Sequence, residues 1–424
     1  MPSPGAKALD SALAVFFALF AFSCTFSIAV AQSSFAVSLL LFLIVIVIRR
    51  YNPLAPRLRI FYLFVGLYVA WMLLAAVLGK TPMRSIEMIK EEWLFLIVPV
   101  GIYLCENDLY RNWLFKSLVA GVILFSLYGI LQHFTGFHWP KSSAPLAAFD
   151  YGYLVKGTFS NPLTFGNFYG TAAAFMAAFT LTRWGKLNQT DRWLSTTAAV
   201  LAVAVTVFSH SRGPILGLIA ALVILGLILK KRWFTYSLVI ALIGAVVFVT
   251  AVSPIRERIL KITYRDVHTT DPGGRPFIWR HTLEIIGDHP VFGVGEGNFY
   301  QEYADRLPPD TPEYRKYAHA HDDLLNVAAM SGIPGMLFFL GMWVTVFALC
   351  WKGWHRGHRV SGLSGFFAAG LIGGVMFFLS SITEATFADE EVRELLMLIW
   401  AFGLWQLRLP EREKLSEAKA DPRL

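Results

Sequence analysis

WLSTTAAVLAVAVTVFSHSRGPILGLIAALVILGLIL, residues 193–229, is two apolar runs parted by one polar turn, Ser209-His210-Ser211-Arg212-Gly213-Pro214. A hydrocarbon core of about 30 Å takes roughly 20 apolar residues of helix. Runs of that kind recur in both directions from this stretch. They lie near 10–28, 33–48, 60–79, 92–105, 112–133, 163–182, 193–210, 214–229, 233–252, 324–350, 362–382 and 394–408. The 424 residues are 56% hydrophobic and only 16% charged, a balance that suits lipid rather than water as the main solvent. The expectation is an all-α polytopic membrane protein of about twelve transmembrane helices.

Charge patterning sets the orientation. Basic clusters follow the second run (Arg49, Arg50, Arg57, Arg59), the sixth (Arg183, Lys186, Arg192), the eighth (Lys230, Lys231, Arg232), the tenth (Lys352, Arg356, Arg359) and the twelfth (Arg408, Arg412, Lys414). All fall on one side if both termini are cytoplasmic. The chain then divides into spans one to nine (1–252), a long loop outside the cytoplasm (253–323), spans ten to twelve (324–408) and a charged cytoplasmic tail (409–424). The formal charge of +8 sits in short clusters between spans, which points to membrane lipids and excludes nucleic acid as a partner. Cys24, Cys105 and Cys350 lack metal-ligand spacing and read as packing residues. Lys7 precedes a long apolar run without a cleavage site, so the first span is expected to be retained.

Three more features share the outer side with the long loop. They are the connection 134–162, the turn at Arg212, and the amphipathic run from Arg84 to Glu92. The short outer loop near Glu384, Asp389, Glu390 and Glu391 is acidic. Within the long loop, Arg275 to Ile286 reads as an amphipathic helix. Gly273 and Gly274 precede it, Pro276 suits its first turn, and Asp288-His289-Pro290 closes it. Gly293-Val294-Gly295-Glu296-Gly297 reads as tight turns, because no strand precedes it as a dinucleotide site requires.

Arg212 is the most informative residue. A guanidinium between two apolar helices is expensive unless it is paired, hydrated or binding an anion. Snorkelling to lipid headgroups is the plain alternative. The helix beginning near Gly213 adds positive potential beside it, a combination that suits a phosphate. Arg265, Arg275 and Arg280 read either as charges on a wet helix face or as further forks for phosphate oxygens. His319 and His321 stand before Asp322 and Asp323. His321 could be a structural or capping histidine, a metal ligand with His319, or a general base. Asp322 or Asp323 could orient its ring or cap the next helix.

Five of these segments, in this order, are similar to motifs of the O-antigen ligase and polymerase superfamily. They are Gly157-Thr158-Phe159-Ser160-Asn161-Pro162, the Ser209–Gly213 turn, and Gly274-Arg275 with Trp279. Gly293 to Phe299 follows, and then His321-Asp322-Asp323-Leu324-Leu325-Asn326 with Ser331-Gly332-Ile333-Pro334-Gly335. The likeness covers roughly residues 155–345. Many relatives carry His-Asn where this chain has His321-Asp322, and Met330 stands where a glutamate is frequent.

The resemblance implies a bacterial inner-membrane glycosyltransferase whose long loop is periplasmic and carries short amphipathic helices. It would move a glycan from undecaprenyl diphosphate to the lipid A–core acceptor. The catalytic residues would be His321 as base, with Arg212 and Arg275 on the diphosphate. Lys156, Asn161, Arg265, Arg280, His319 and Asp322 would bind substrate, and neither metal nor cofactor is expected. The polymerase and protein-glycosylating branches are the alternatives within the class. A transporter of a lipid-linked anion is the alternative outside it, although no inverted repeat is visible in the sequence.

Overall fold

Chain solvated by lipid must satisfy its backbone internally, and helices do this within a single segment. The computed structural model describes residues 4–139, 146–149, 152–230, 232, 236, 274–308, 317–357 and 364–408. The helices are α1 (Pro4–Ser23), α2 (Ile28–Arg49), α3 (Arg59–Leu78), α4 (Pro82–Ile89), α5 (Ile97–Cys105), α6 (Asp108–Thr135), α7 (Pro162–Arg183), α8 (Gln189–Phe208) and α9 (Arg212–Ile228). They continue with α10 (Arg275–Asp288), α11 (Phe299–Asp305), α12 (Asp323–Gly357), α13 (Ser364–Ser381) and α14 (Glu390–Leu404). A two-residue antiparallel pair, Ala148–Phe149 with Gly152–Tyr153, is the strand structure among the described residues.

The architecture is that of an all-α membrane protein. Among the described residues, six helices are long and apolar enough to cross a bilayer: Ile28–Arg49, Pro56–Leu78, Asp108–Thr135, Gln189–Phe208, Asp323–His355 and Ser364–Ser381. Arg212–Ile228 is a shorter apolar helix. Of the twelve runs expected from sequence, the ninth (233–252) falls almost wholly outside the described residues, as do Arg265 and the tail. The fourth run is a 3-10 turn, Lys90–Leu96, followed by nine residues of α-helix. At 1.5 Å per residue that helix is too short for a core of about 30 Å.

The central layer explains why some runs carry little hydropathy contrast. α7 and α13 are buried nearly all round and pack on each other and on α9 and α14. Their Ala- and Gly-rich faces let backbones approach closely, as helix packing in lipid favours. Around them, Phe115, Phe175, Phe179, Phe366 and Phe402 form one aromatic cluster, with Phe366 and Phe402 stacked at 5.9 Å. The outer helices α2 and α3 present exposed Leu, Ile and Val to their surroundings instead.

At one end a smaller apolar cluster joins α10 and α11 to the start of α12, through Ile278, Ile285, Val294, Phe299, Tyr303, Ala320 and Ala329. α12 is broken at Gly332, whose φ of 73° an L side chain rarely adopts. The break frees backbone groups for the glycine turns. Val294 N–H donates to Ala329 O, Gly295 N–H to Met330 O, and Ile333 N–H to Pro290 O, all at 2.8–2.9 Å. Ser85 Oγ of α4 donates to Glu296 O, and Thr81 bonds Asn298. Gly293, Gly295 and Gly297 all have positive φ, so the expected tight turns are present. The loop's folded part is thus pinned to α12 and α4 through its backbone.

Candidate active site

Backbone clamps hold the segment before α12. Asn326 Oδ1 accepts from Ala320 N–H at 3.2 Å, and Asp322 Oδ1 accepts from Leu325 N–H at 2.8 Å. The carboxylate of Asp323 accepts from Phe387 N–H at 2.9 Å, tying this segment to the turn between α13 and α14. Between these clamps His321 adopts φ 53°, a backbone state that costs a non-glycine residue about 1–3 kcal/mol and is held only where the surroundings impose it. The imposed backbone aims the imidazole at the 382–389 turn.

There His321 Nδ1 lies 2.9 and 3.0 Å from the two carboxylate oxygens of Glu384. His319 Nε2 is 3.5 Å from the same carboxylate, and its Nδ1 accepts from His321 N–H at 3.3 Å. The Arg275 guanidinium, on the first residue of α10, donates from Nε to Thr383 O at 2.8 Å and reaches within 3.9 Å of Glu384. Burial pushes the Glu384 carboxyl up. The His321 hydrogen bond and the nearby His321, His319 and Arg275 more than offset this, and the group ends below the ordinary carboxylate value. Burial, reinforced by the neighbouring His321, holds His319 down at about 4, so its ring is neutral. An ionised Glu384 accepts from Nδ1–H of His321, and in the neutral tautomer with that proton the other nitrogen, Nε2, is the acceptor. The His321 side chain keeps 22% exposure.

The same turn gathers the Arg212 region. Ser211 Oγ donates to Pro162 O at 3.1 Å, which joins the start of α9 to the start of α7. Gly213 packs so closely on Thr383 that a Cβ there would clash with its hydroxyl. Arg212 is exposed at the first residue of α9. Thr383 therefore contacts both the Arg212 turn and Arg275, with Glu384 next in the chain and the two histidines against the Glu384 carboxylate. Thr164 Oγ1 donates to Asp389 at 2.9 Å on the far side of this turn. Burial first, and then Glu391 and Glu384, push Asp389 up to about 7 against that hydrogen bond.

The remaining sequence candidates fall as follows. Asn161 caps α7, its Oδ1 accepting from Leu163 N–H and Thr164 N–H. Lys156 is half-buried in the segment leading to that cap. Asp322 caps α12 and does not hold the His321 ring; Glu384 does that instead. Arg280 lies on the exposed face of α10, 3.5 Å from Glu284, and the structure does not bring it to the cluster. Glu384 is the residue that reading the sequence missed. Its signal was an acidic short loop on the same side as His321, but the pairing spans 63 residues and one helix hairpin.

His319, His321 and Glu384 offer ligand atoms within 4.8 Å of one another, a set with the chemistry to hold a metal ion. In that set the His321–Glu384 approach is a hydrogen bond, and the Arg275 guanidinium lies within 3.9 Å of the same carboxylate.

Fold and site together define an all-α membrane protein with a polar cluster, built from a histidine–carboxylate pair and arginines, at one end of its helices. Residues 197–340 match the family described as O-antigen ligase. A curated O-antigen ligase of Pseudomonas aeruginosa is 26% identical over 275 residues, which cover 63% of this chain and 59% of that protein. Over these stretches the chain is similar to O-antigen ligases, and it spans less than two thirds of the length of the curated relative it matches.

Proposed function

We propose that this protein is an O-antigen ligase of the bacterial inner membrane. It would transfer glycan from undecaprenyl diphosphate to the sugar core of lipid A at a site facing the periplasm, with both termini cytoplasmic. The carrying observation is the 382–389 turn, where Glu384 meets His321 and Arg275 beside the Arg212 turn. His321 Nε2 takes the proton of the acceptor hydroxyl as its oxygen bonds to the anomeric carbon. The bond from that carbon to the diphosphate breaks on the opposite face, which inverts the centre. The diphosphate leaves on its polyprenyl chain with the charge held by Arg212 and Arg275, and with Lys156 and Arg265 in support.

Fixed cations aimed at developing charge are worth about 10²–10³ in rate per group, and a positioned base about 10²–10⁴. No metal is required, because arginine forks supply the charge stabilisation a metal would give. Purified protein, carrier-linked glycan and lipid A–core in one vessel test the reading. A new covalent glycolipid supports the ligase. A longer carrier-linked glycan would make it a polymerase, and neither product would point to transport.

A further inference from the structure

A cavity of about 600 Å³ opens between the α1–α2 turn, the end of α6 and the segment before α7. Its walls are pinned before any ligand arrives. Thr158 Oγ1 donates to Phe26 O at 2.7 Å. The buried Gln132 side chain donates to Gly157 O and accepts from Gly157 N–H, both at 2.8 Å, and its amide also lies 3.2 Å from His138 Nδ1. Tyr128 OH is 2.8 Å from both the N and the O of Trp139. Pre-fixed walls reduce the ordering cost of binding.

The lining is of two kinds. Phe26 and Phe125 are stacked at 4.4 Å, and Phe159 and the 67% exposed Trp139 add further ring surface. Ser160, Thr158 and Glu391 place hydroxyls and a carboxylate among these rings. A lipid tail would strip water from Glu391 without giving it a partner, and a phosphate would meet its like charge. A sugar ring satisfies both kinds of wall, with C–H faces for the aromatics and hydroxyl donors for the carboxylate. Ser160 and Glu391 are close in sequence to Pro162 and Asp389, so the cavity adjoins the catalytic turn.

We propose that this cavity is a glycan subsite, holding one sugar ring against Trp139 and Phe26 with its hydroxyls on Glu391 and Ser160. This rests on the ligase reading for its biological substrate, which could present that ring from either the donor glycan or the acceptor core. Saturation-transfer NMR on the detergent-solubilised full chain would use two probes: glycan released from its carrier, and delipidated core oligosaccharide. Wild type should bind one of them, and Trp139→Ala and Glu391→Gln should each weaken that binding about tenfold, with Trp139→Phe largely restoring it. In the transfer assay the KM for that same substrate should rise about tenfold while kcat stays within about twofold.

Which probe and which KM respond tells donor from acceptor. Absence of binding by wild type to both probes, or variants that match wild type in binding and in both KM values, would overturn the subsite. Wild type that binds glycan but transfers none would overturn the ligase reading and leave the subsite standing.

Discussion

Glu384→Gln is the sharpest test of the proposed catalytic geometry. Glutamine keeps the size of the side chain and an oxygen to accept from His321 Nδ1–H, so it removes charge with little else. In the ground state the neutral imidazole loses only the difference between a charge-assisted and a neutral hydrogen bond, about 1–1.5 kcal/mol. In the transition state the ring becomes imidazolium, and a unit charge about 4 Å away is worth about 4 kcal/mol at an effective dielectric of 20. The 2.9 Å contact and the 8% exposure of the Glu384 side chain favour the upper part of that range, while the Arg275 charge 3.9 Å away offsets some of it. A net loss of about 2–4 kcal/mol predicts a fall in kcat of roughly 30- to 1000-fold. Donor KM should change less than kcat, because the carboxylate is 2.9 Å from His321 and 3.9 Å from Arg275. The assay is steady-state transfer of carrier-linked glycan to lipid A–core, with thermal melting as the check on folding. A folded Glu384→Gln protein with wild-type kcat would refute the assignment of Glu384 as the residue that orients His321.

Four further outcomes follow from the same site. His321→Ala should abolish transfer, with at least a 10²-fold loss, while donor binding persists in a filter or thermophoresis assay; normal turnover would remove the base. Arg212→Ala should weaken donor binding and lower rate by about 10²–10³, and Arg212→Lys should restore little because the planar fork is lost; equal activity of Lys and Arg would count against a bidentate diphosphate grip. Treatment with a strong chelator should leave transfer unchanged, whereas inhibition reversed by added metal would make His319, His321 and Glu384 a metal centre. The lowered Glu384 value means that its stabilising contribution is fully present above the ordinary glutamate pKa of about 4.3 and disappears as pH falls through the lower folded value. The melting-temperature gap between wild type and Glu384→Gln should therefore be constant from neutral pH to about 5 and close in stronger acid; a gap that persists there would contradict the linkage.

Much of the architecture was legible because lipid imposes a one-dimensional rule, in which an apolar run of sufficient length has to be helix. Eleven of the twelve apolar runs are helical where described, and the α10 helix was marked by Gly274, Pro276 and the Asp288-His289-Pro290 stop. The positive-φ turns at Gly293, Gly295 and Gly297 were readable for the same local reason. His321, Arg212 and Arg275 stood out because polar groups at the rims of apolar segments are costly and few.

Sequence by itself thus determined most of the helices and marked His321, Arg212 and Arg275 as polar groups at the rims of apolar runs, since each depends on residues close in the chain. Tertiary structure alone decided that Glu384 orients His321, that Asp322 is a cap, that Arg280 faces outward, and that the fourth run is too short to span. It also decided that Gly332 breaks α12 so the glycine turns can bond its freed backbone. Each of those outcomes depends on which segments pack together across tens or hundreds of residues. Side chains of one charge or polarity look alike until packing selects one neighbour among them.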